Sequence, residues 1–441
     1  MSIFKYSFLL VSLSFNQGAQ AEDLLTVYHQ ALQADPKLKS AEIKVDIGSD
    51  QKGQALGQML PQINVSANWS ENEQTINGRS QSTTSNYPGT RYYVSLNQTL
   101  FDFAKYWEWQ RTAKIEDQYA AEAIDARNQL IFNVVDRYFS TLEAEDQLNF
   151  AKLEEQAAQK MLKQIQKQFA KQLIKITDIY AAEARLDQLL ADVAQAENKY
   201  ITSQESLREL TGVAQTELNK LRESVEYPEI QGNLQQWIEM AQSQNPSILA
   251  KGLAINAAQN NIDVQKSKFF PVVDLQLSYY DSNTGYQSIN LGADVKTSVA
   301  AINVNVPLFS GGVTTYQVSE ARNRLQITKN DNDAATRAIA KETSDAYLST
   351  NAGVRRIQAI QRALKSAIKS REAMERGYNL GVVTISDVIK SQQDEFSVKK
   401  DLAQAKYNYI KNHVRFMHAI GSINEENLKE INDWLEVKVQ K

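Results

Sequence analysis

The residues able to do chemistry are few and poorly placed for catalysis. The chain has three histidines, His29, His413 and His418, and no cysteine. His413 and His418 stand five apart in a helical pattern and face different sides, so packing or surface roles suit them better than metal ligation. Without cysteine there is no disulfide framework, no thiolate metal site and no cysteine nucleophile. There is no Walker-type glycine loop, and Gly53-x-x-x-Gly57 lies in an amphipathic segment where close helix packing explains it. No catalytic constellation, metal site or cofactor is expected, and energy for any transport must come from elsewhere. What remains are two similar turns, FAKQLIKITD from Phe169 to Asp178 and YNLGVVTISD from Tyr378 to Asp387. Each ends in Thr or Ser followed by Asp, which suits a helix N-terminus because the acid sits near the positive end of the dipole.

Long helices must position those turns. No glycine occurs between Gly89 and Gly212 and no proline between Pro88 and Pro228. Residues from about 103 to 171 read as one helix, which at ~1.5 Å per residue would extend roughly 100 Å. A return helix follows from about 175 to 211. Its apolar positions Ala182, Leu186, Leu189, Val193, Ala196 and Tyr200 step by four and three, the spacing of a coiled-coil seam. Leu402, Ala405, Tyr409, Asn412 and Phe416 keep the same beat in the second half. Helices this long need lateral partners along their length.

The second half repeats the first. Asp35-Pro36 answers to Asn245-Pro246, Leu60-Pro61 to Phe270-Pro271, Leu100-Phe101 to Leu308-Phe309, and Leu210-Thr211-Gly212 to Ala419-Ile420-Gly421. A two-unit repeat this long is neither a solenoid nor a propeller and points to duplication. Residues 22–230 are the first structural repeat, with its long hairpin over about 103–212. Residues 231–441 are the second, with its hairpin over about 311–421 and a C-terminal tail.

Each half carries two strands of strict alternation, at about 61–71 and 90–101 and again at about 271–281 and 298–309. Ile63, Val65, Ala67 and Trp69 alternate with Gln62, Asn64, Ser66 and Asn68; Val273, Leu275, Leu277 and Tyr279 repeat the pattern. Period-two segments of about ten residues mark membrane β-barrel strands, apolar to lipid and polar to the lumen. Trp69, Tyr92, Tyr279 and Tyr280 suit an aromatic girdle. The stretches Asn72–Gly89 and Asp281–Thr297, rich in Ser, Thr, Asn and Gly, read as exposed outer loops.

The composition and the first residues agree with an exported protein. Lys5, the apolar run from Phe8 to Leu13 and Ala19-Gln20-Ala21 make residues 1–21 a signal peptide cleaved near Ala21. Beyond it no apolar run reaches the ~20 residues of a membrane helix. A net charge of −4 leaves no footprint for nucleic acid. Four strands cannot close a membrane barrel, and an open edge in lipid leaves unpaired backbone groups costing several kcal/mol each. Two copies would give eight strands with a filled interior, and three would give twelve with room for a passage. The fold class is therefore mainly α with membrane β. A periplasmic adaptor, or a structural coiled-coil protein without a channel, is the alternative.

The sequence resembles the TolC family of outer-membrane efflux and secretion channels over nearly all of the mature chain. The resemblance is carried by AMERGYNLGVVTISDV (Ala373–Val388), AKYNYIKN (Ala405–Asn412), Ala419-Ile420-Gly421, PLFSGG (Pro307–Gly312) and Asn245-Pro246. It implies a homotrimer: a twelve-strand barrel continued by a long periplasmic α-helical barrel. It further implies a passive exit duct for tripartite efflux or type I secretion in the outer membrane. The partners would be outer-membrane lipid, a periplasmic adaptor (membrane fusion) protein and an inner-membrane pump of the RND, ABC or MFS class. Lacking a lipid-bearing cysteine, the chain is more similar to the TolC branch than to lipoprotein efflux channels. Gating is implied at Asp387, three copies of which would ring a narrow axis as a cation filter, with a link between hairpins at Tyr378 and Asp178. Adaptor docking falls on the tips, at Gln172, Leu173, Ile174, Gly381 and Val382. Two positions depart from the family: Lys390 replaces a second ring aspartate, and Val383 an arginine that locks the closed tip. Lys390, three residues after Asp387, can pair with it along the helix.

Overall fold

The computed structural model describes residues 22–436 except 80, 173, 216 and 285–289; the signal segment lies outside the described residues. The elements run α1 (Leu24–Ala34), α2 (Pro36–Gly57), β1 (Gln62–Asn77), β2 (Ser82–Phe101), α3 (Phe103–Ala170) and α4 (Ile176–Thr211). The second half follows with α5 (Leu234–Gln244), α6 (Pro246–Ser267), β3 (Val272–Thr284), β4 (Asn290–Asn305), α7 (Val313–Asn379), α8 (Ile385–Ala419) and α9 (Glu425–Asn432). Both X-Pro signals break helices. Asp35 and Asn245 are extended, as a residue before proline prefers, and Pro36 and Pro246 open the next helix. No described helix is long and apolar enough to cross a membrane.

Compactness divides the chain into two units, each built from both halves of the sequence. One holds Lys37–Ala126 and Met240–Ala340, and contains the sheet. Its strands pair antiparallel in the order β1-β2-β3-β4, leaving β1 and β4 as edges. Register places Val65 opposite Val94, Val94 opposite Tyr279, and Leu275 opposite Ile302, so the apolar positions share one face. That face is open: on the two central strands Val94 is 40% exposed and Tyr279 42%, while the polar Ser95 and Ser282 of the same strands are only 3% and 1% exposed. An ordinary soluble sheet would bury the opposite set, so this face is made for lipid.

The stretches expected as outer loops are largely strand. β1 and β2 pair out to Asn77 opposite Ser82, and β3 and β4 out to Thr284 opposite Asn290. Thr75 and Thr84 hydroxyls meet across the hairpin at 2.9 Å. A ladder held by its own backbone needs no apolar alternation where neither face meets lipid or core, which is why the polar composition read as loop. At the other end β4 stops at Asn305, and Leu308 and Phe309 stand beyond it. The close helix approach expected at Gly53 and Gly57 is found instead at Gly48. A Cβ there would lie 2.9 Å from Glu116 Cα, whereas nothing lies within 4 Å of one at Gly53 or Gly57.

The other unit holds the described residues up to Pro36, Arg127–Glu239 and the described residues from Lys341 on. The stretch between α4 and α5, the belt of this unit, closes on α3 and α8 through backbone acceptors. Tyr138 donates to the carbonyls of Asn219 (3.0 Å) and Glu22 (3.1 Å), and Tyr409 to that of Pro228 (2.7 Å). The tail after α9 bridges antiparallel to the belt at Leu221 and Leu435. His413 stacks parallel on Tyr409, 5.9 Å between centroids, with its Nδ1 buried and unpartnered. Burial lowers its pKa from the usual 6.5. The unfolded chain therefore takes up that proton more readily, so stability is full above 6.5 and declines as pH falls toward the lowered native value. Thermal unfolding compared at about pH 7 and about pH 5 should show a loss that is smaller in His413→Phe.

Candidate functional site

In the second unit, two helical hairpins end in the turns flagged by the sequence, and one apolar core joins them. Ile165 of α3, Ile179 and Ala182 of α4, and Ile385 and Val388 of α8 are buried together, with Met161, Ile174, Met374 and Tyr378 packed against them. The turns end α3 and α7 in the same way but with different residues. After α7, Gly381 adopts φ 74°, its N–H reaching Tyr378 O at 3.0 Å, while Val382 N–H reaches Gly377 O at 3.0 Å. Those two bonds satisfy the last carbonyls of the helix. After α3 the left-handed place is taken by Gln172, φ 59°, a conformation most side chains avoid.

The caps differ from the expected ones. Thr177 and Ser386 lie inside the helices, and the residues before the first turns are Lys175 and Thr384. Thr384 and Asp387 form a capping box: Thr384 N–H donates to Asp387 Oδ2 at 3.0 Å, and Asp387 N–H to Thr384 Oγ1 at 3.3 Å. Lys175 makes no side-chain cap bond. Asp387 is exposed, and the Thr384 hydroxyl and N–H hold its carboxyl below the usual 3.8, with a smaller push from Lys390. Lys390 acts at a distance; no ion pair joins the two among the described residues. A depressed carboxyl stays charged as pH falls and loses its charge only below 3.8.

Tyr378 does not reach Asp178 in this chain. Its hydroxyl donates to Gln168 Oε1 at 2.5 Å, tying α7 to α3. Burial first, then the Asp178 charge, raises its pKa. Asp178 sits half-buried in the first turn of α4. Of the tip residues, Gln172, Gly381 and Val382 are exposed, Ile174 turns inward to the core, and Leu173 lies outside the described residues. Val383 is half-buried, its Cγ2 lying 3.2 Å from where a Cβ on Gly377 would stand.

Two features escaped the sequence reading. Leu380, 79% exposed beside Val382 at 74%, forms the apolar point of the second turn. Its sequence signal was an apolar residue just before a left-handed glycine. Behind the tip core lie two carboxylates with side chains 7% exposed, Glu154 and Glu395. Glu154 accepts from Arg185 of α4 and from Lys400 of α8 at 3.1 Å. Glu395 accepts from Arg371 of α7 and from Lys399 at 2.6 Å. Burial alone would raise Glu395, but Lys399 and Arg371 together bring it below the usual 4.5. Only the pairs within one helix, Glu395–Lys399 and Arg371–Glu375, were legible as spacing.

The outer membrane efflux protein family matches residues 27–213 and 237–422, once in each half. The chain is 30% identical over 427 residues to outer membrane protein TolC of Vibrio cholerae, covering 96% of each chain. It is 25% identical over 428 residues to the alkaline protease secretion protein AprF of Pseudomonas aeruginosa, covering 95% of this chain and 88% of that one. Among solved structures, the CmeC outer membrane channel of Campylobacter jejuni superposes with a TM-score of 0.80 at 18% identity, covering 99% of this chain and 98% of that one.

Proposed function

The chain belongs to the outer membrane efflux protein family, and from that premise we propose how it works and with what. It is an outer-membrane exit duct for efflux and type I secretion. Three copies, each giving four strands, close a twelve-strand barrel in lipid, since the sheet's two free edges must be paired there. The inverted central strands carry this reading, with exposed Val94 and Tyr279 against buried Ser95 and Ser282. The chain reaches the outer membrane by way of a leader cleaved near Ala21.

Conduction is passive. A periplasmic adaptor covers Gln172, Gly381 and Val382, together with Leu380, and an inner-membrane pump of the RND, ABC or MFS class supplies the energy. Around the trimer axis Asp387 recurs three times as the ion-filtering ring of a gate, with Lys390 moderating its field and Tyr378, through Gln168, steadying the hairpins. Single-channel recordings should show cation selectivity that Asp387→Ala removes and that persists in the parent down to pH values below 3.8. Unchanged selectivity in the variant would remove Asp387 from the gate. The duct itself is tested by deletion: drug susceptibility should rise or a secreted polypeptide should disappear, and the absence of both changes would overturn the reading.

A further inference from the structure

The repeat relates strand registers as well as sequences. Pro61 lies 210 residues before Pro271, and Phe101 lies 208 before Phe309. Applying these shifts to the β1–β2 pair Val65 and Val94 gives Leu275 and Ile302, which are partners in β3–β4. The pair Ile63 and Leu96 likewise becomes Val273 and Val304, again partners. The first hairpin's register therefore reproduces the second's.

The remaining junction within the chain, β2–β3, has no counterpart inside it: the shifts carry β2 onto β4 and β3 back onto β1, the two free edges. We infer that β4 pairs with β1 of the next copy in the β2–β3 register, with Ile302 opposite Trp69 and Val304 opposite Ala67 of that copy. This rests on the reading that copies of the chain close a barrel. The source pairs are Val94 with Tyr279 and Leu96 with Leu277.

Three observations support that register over its neighbours. It sets apolar positions against apolar positions on the lipid face. It also repeats the stagger already present: Gln62 lies level with Asn97 and then Gln276, four residues past its repeat counterpart Val272. Val272 lies level with Asn305, which would lie level with Ser66 of the next copy, four past Gln62. Tilt and stagger are coupled in a barrel, so a uniform advance closes it without a distorted seam. Finally, it places charge near opposite charge: Lys296, 3.6 Å from Asp281, falls opposite Thr75 and diagonal to Glu73, which has no ion pair among the described residues.

The absence of native cysteine makes the test direct. Opposed strand positions lie about 4.5–5.5 Å apart and diagonal ones about 7–8 Å, while a disulfide needs roughly 4.4–6.8 Å between Cα atoms. Trp69→Cys with Ile302→Cys, and Ala67→Cys with Val304→Cys, should both be oxidised to reductant-sensitive, heat-stable oligomers. Ala67→Cys with Ile302→Cys, and Glu71→Cys with Ile302→Cys, shift the register by two and should cross-link at least about tenfold less. Heat-sensitive oligomers that cross-link only in a shifted pair, or in none, would overturn the register while leaving the closed barrel intact. If no oligomer forms even in the parent protein, the barrel reading itself fails.

Discussion

Val65→Arg is expected to block outer-membrane assembly, whereas Asn64→Arg, one residue away, should assemble almost normally. Val65 is 73% exposed, and in a water-facing sheet a substitution at such a position usually changes stability by less than about 0.5 kcal/mol. On a lipid-facing barrel strand, arginine near the midplane costs about 2–4 kcal/mol. Val65 lies between Ile63 and Trp69 on the open apolar face, while Asn64 pairs with Ser95 on the other face. The contrast separates the two environments with one charge and one strand. The readout is the amount of heat-sensitive oligomer recovered from outer-membrane fractions. Equal recovery of the two variants would mean that the apolar face does not meet lipid.

The second large effect is expected at the tip. Ile165 is fully buried among Ile179, Ala182, Ile385 and Val388, where truncation to alanine removes packing from both hairpins and costs about 2–5 kcal/mol. Ile165→Ala should lower the unfolding temperature and raise the leak conductance of the closed channel, because the core that holds the two turns together also positions Tyr378 and Asp387. Leu380→Ala provides the contrast. At 79% exposure it should leave stability within about 0.5 kcal/mol of the parent and still reduce export, because the adaptor loses its apolar contact. Unfolding curves and an export assay on the same two variants separate packing from docking. A stable, fully exporting Leu380→Ala protein would exclude the second turn as a docking point.

Much of the fold was legible in the sequence because its signals were redundant. The alternation of Ile63, Val65, Ala67 and Trp69 recurs at Val273, Leu275, Leu277 and Tyr279, and one pattern supports the other. The X-Pro pairs at Asp35 and Asn245 break helices by local sterics alone. The misreadings arose where local composition allows two structures. Ser, Thr and Asn between Asn72 and Gly89 suit loop and strand equally until a partner strand is present. Thr177 and Ser386 look like caps, yet each helix begins one residue earlier, at Ile176 and Ile385. Gly53 and Gly57 have the spacing of a close contact, but Gly48 meets the neighbouring helix, and glycine spacing does not say which face is turned inward. The ion pairs of Glu154 with Arg185 and Lys400 join residues 31 and 246 positions apart, a range that no periodicity reveals.

The central claim is that this sheet closes in lipid with other copies of itself, and electrophoresis of outer-membrane fractions tests it most directly. The expected result is a band of three chains without heating that collapses to one chain on boiling, with none of the protein in the soluble periplasmic fraction. A single-chain, freely soluble periplasmic protein in the unheated sample would contradict it.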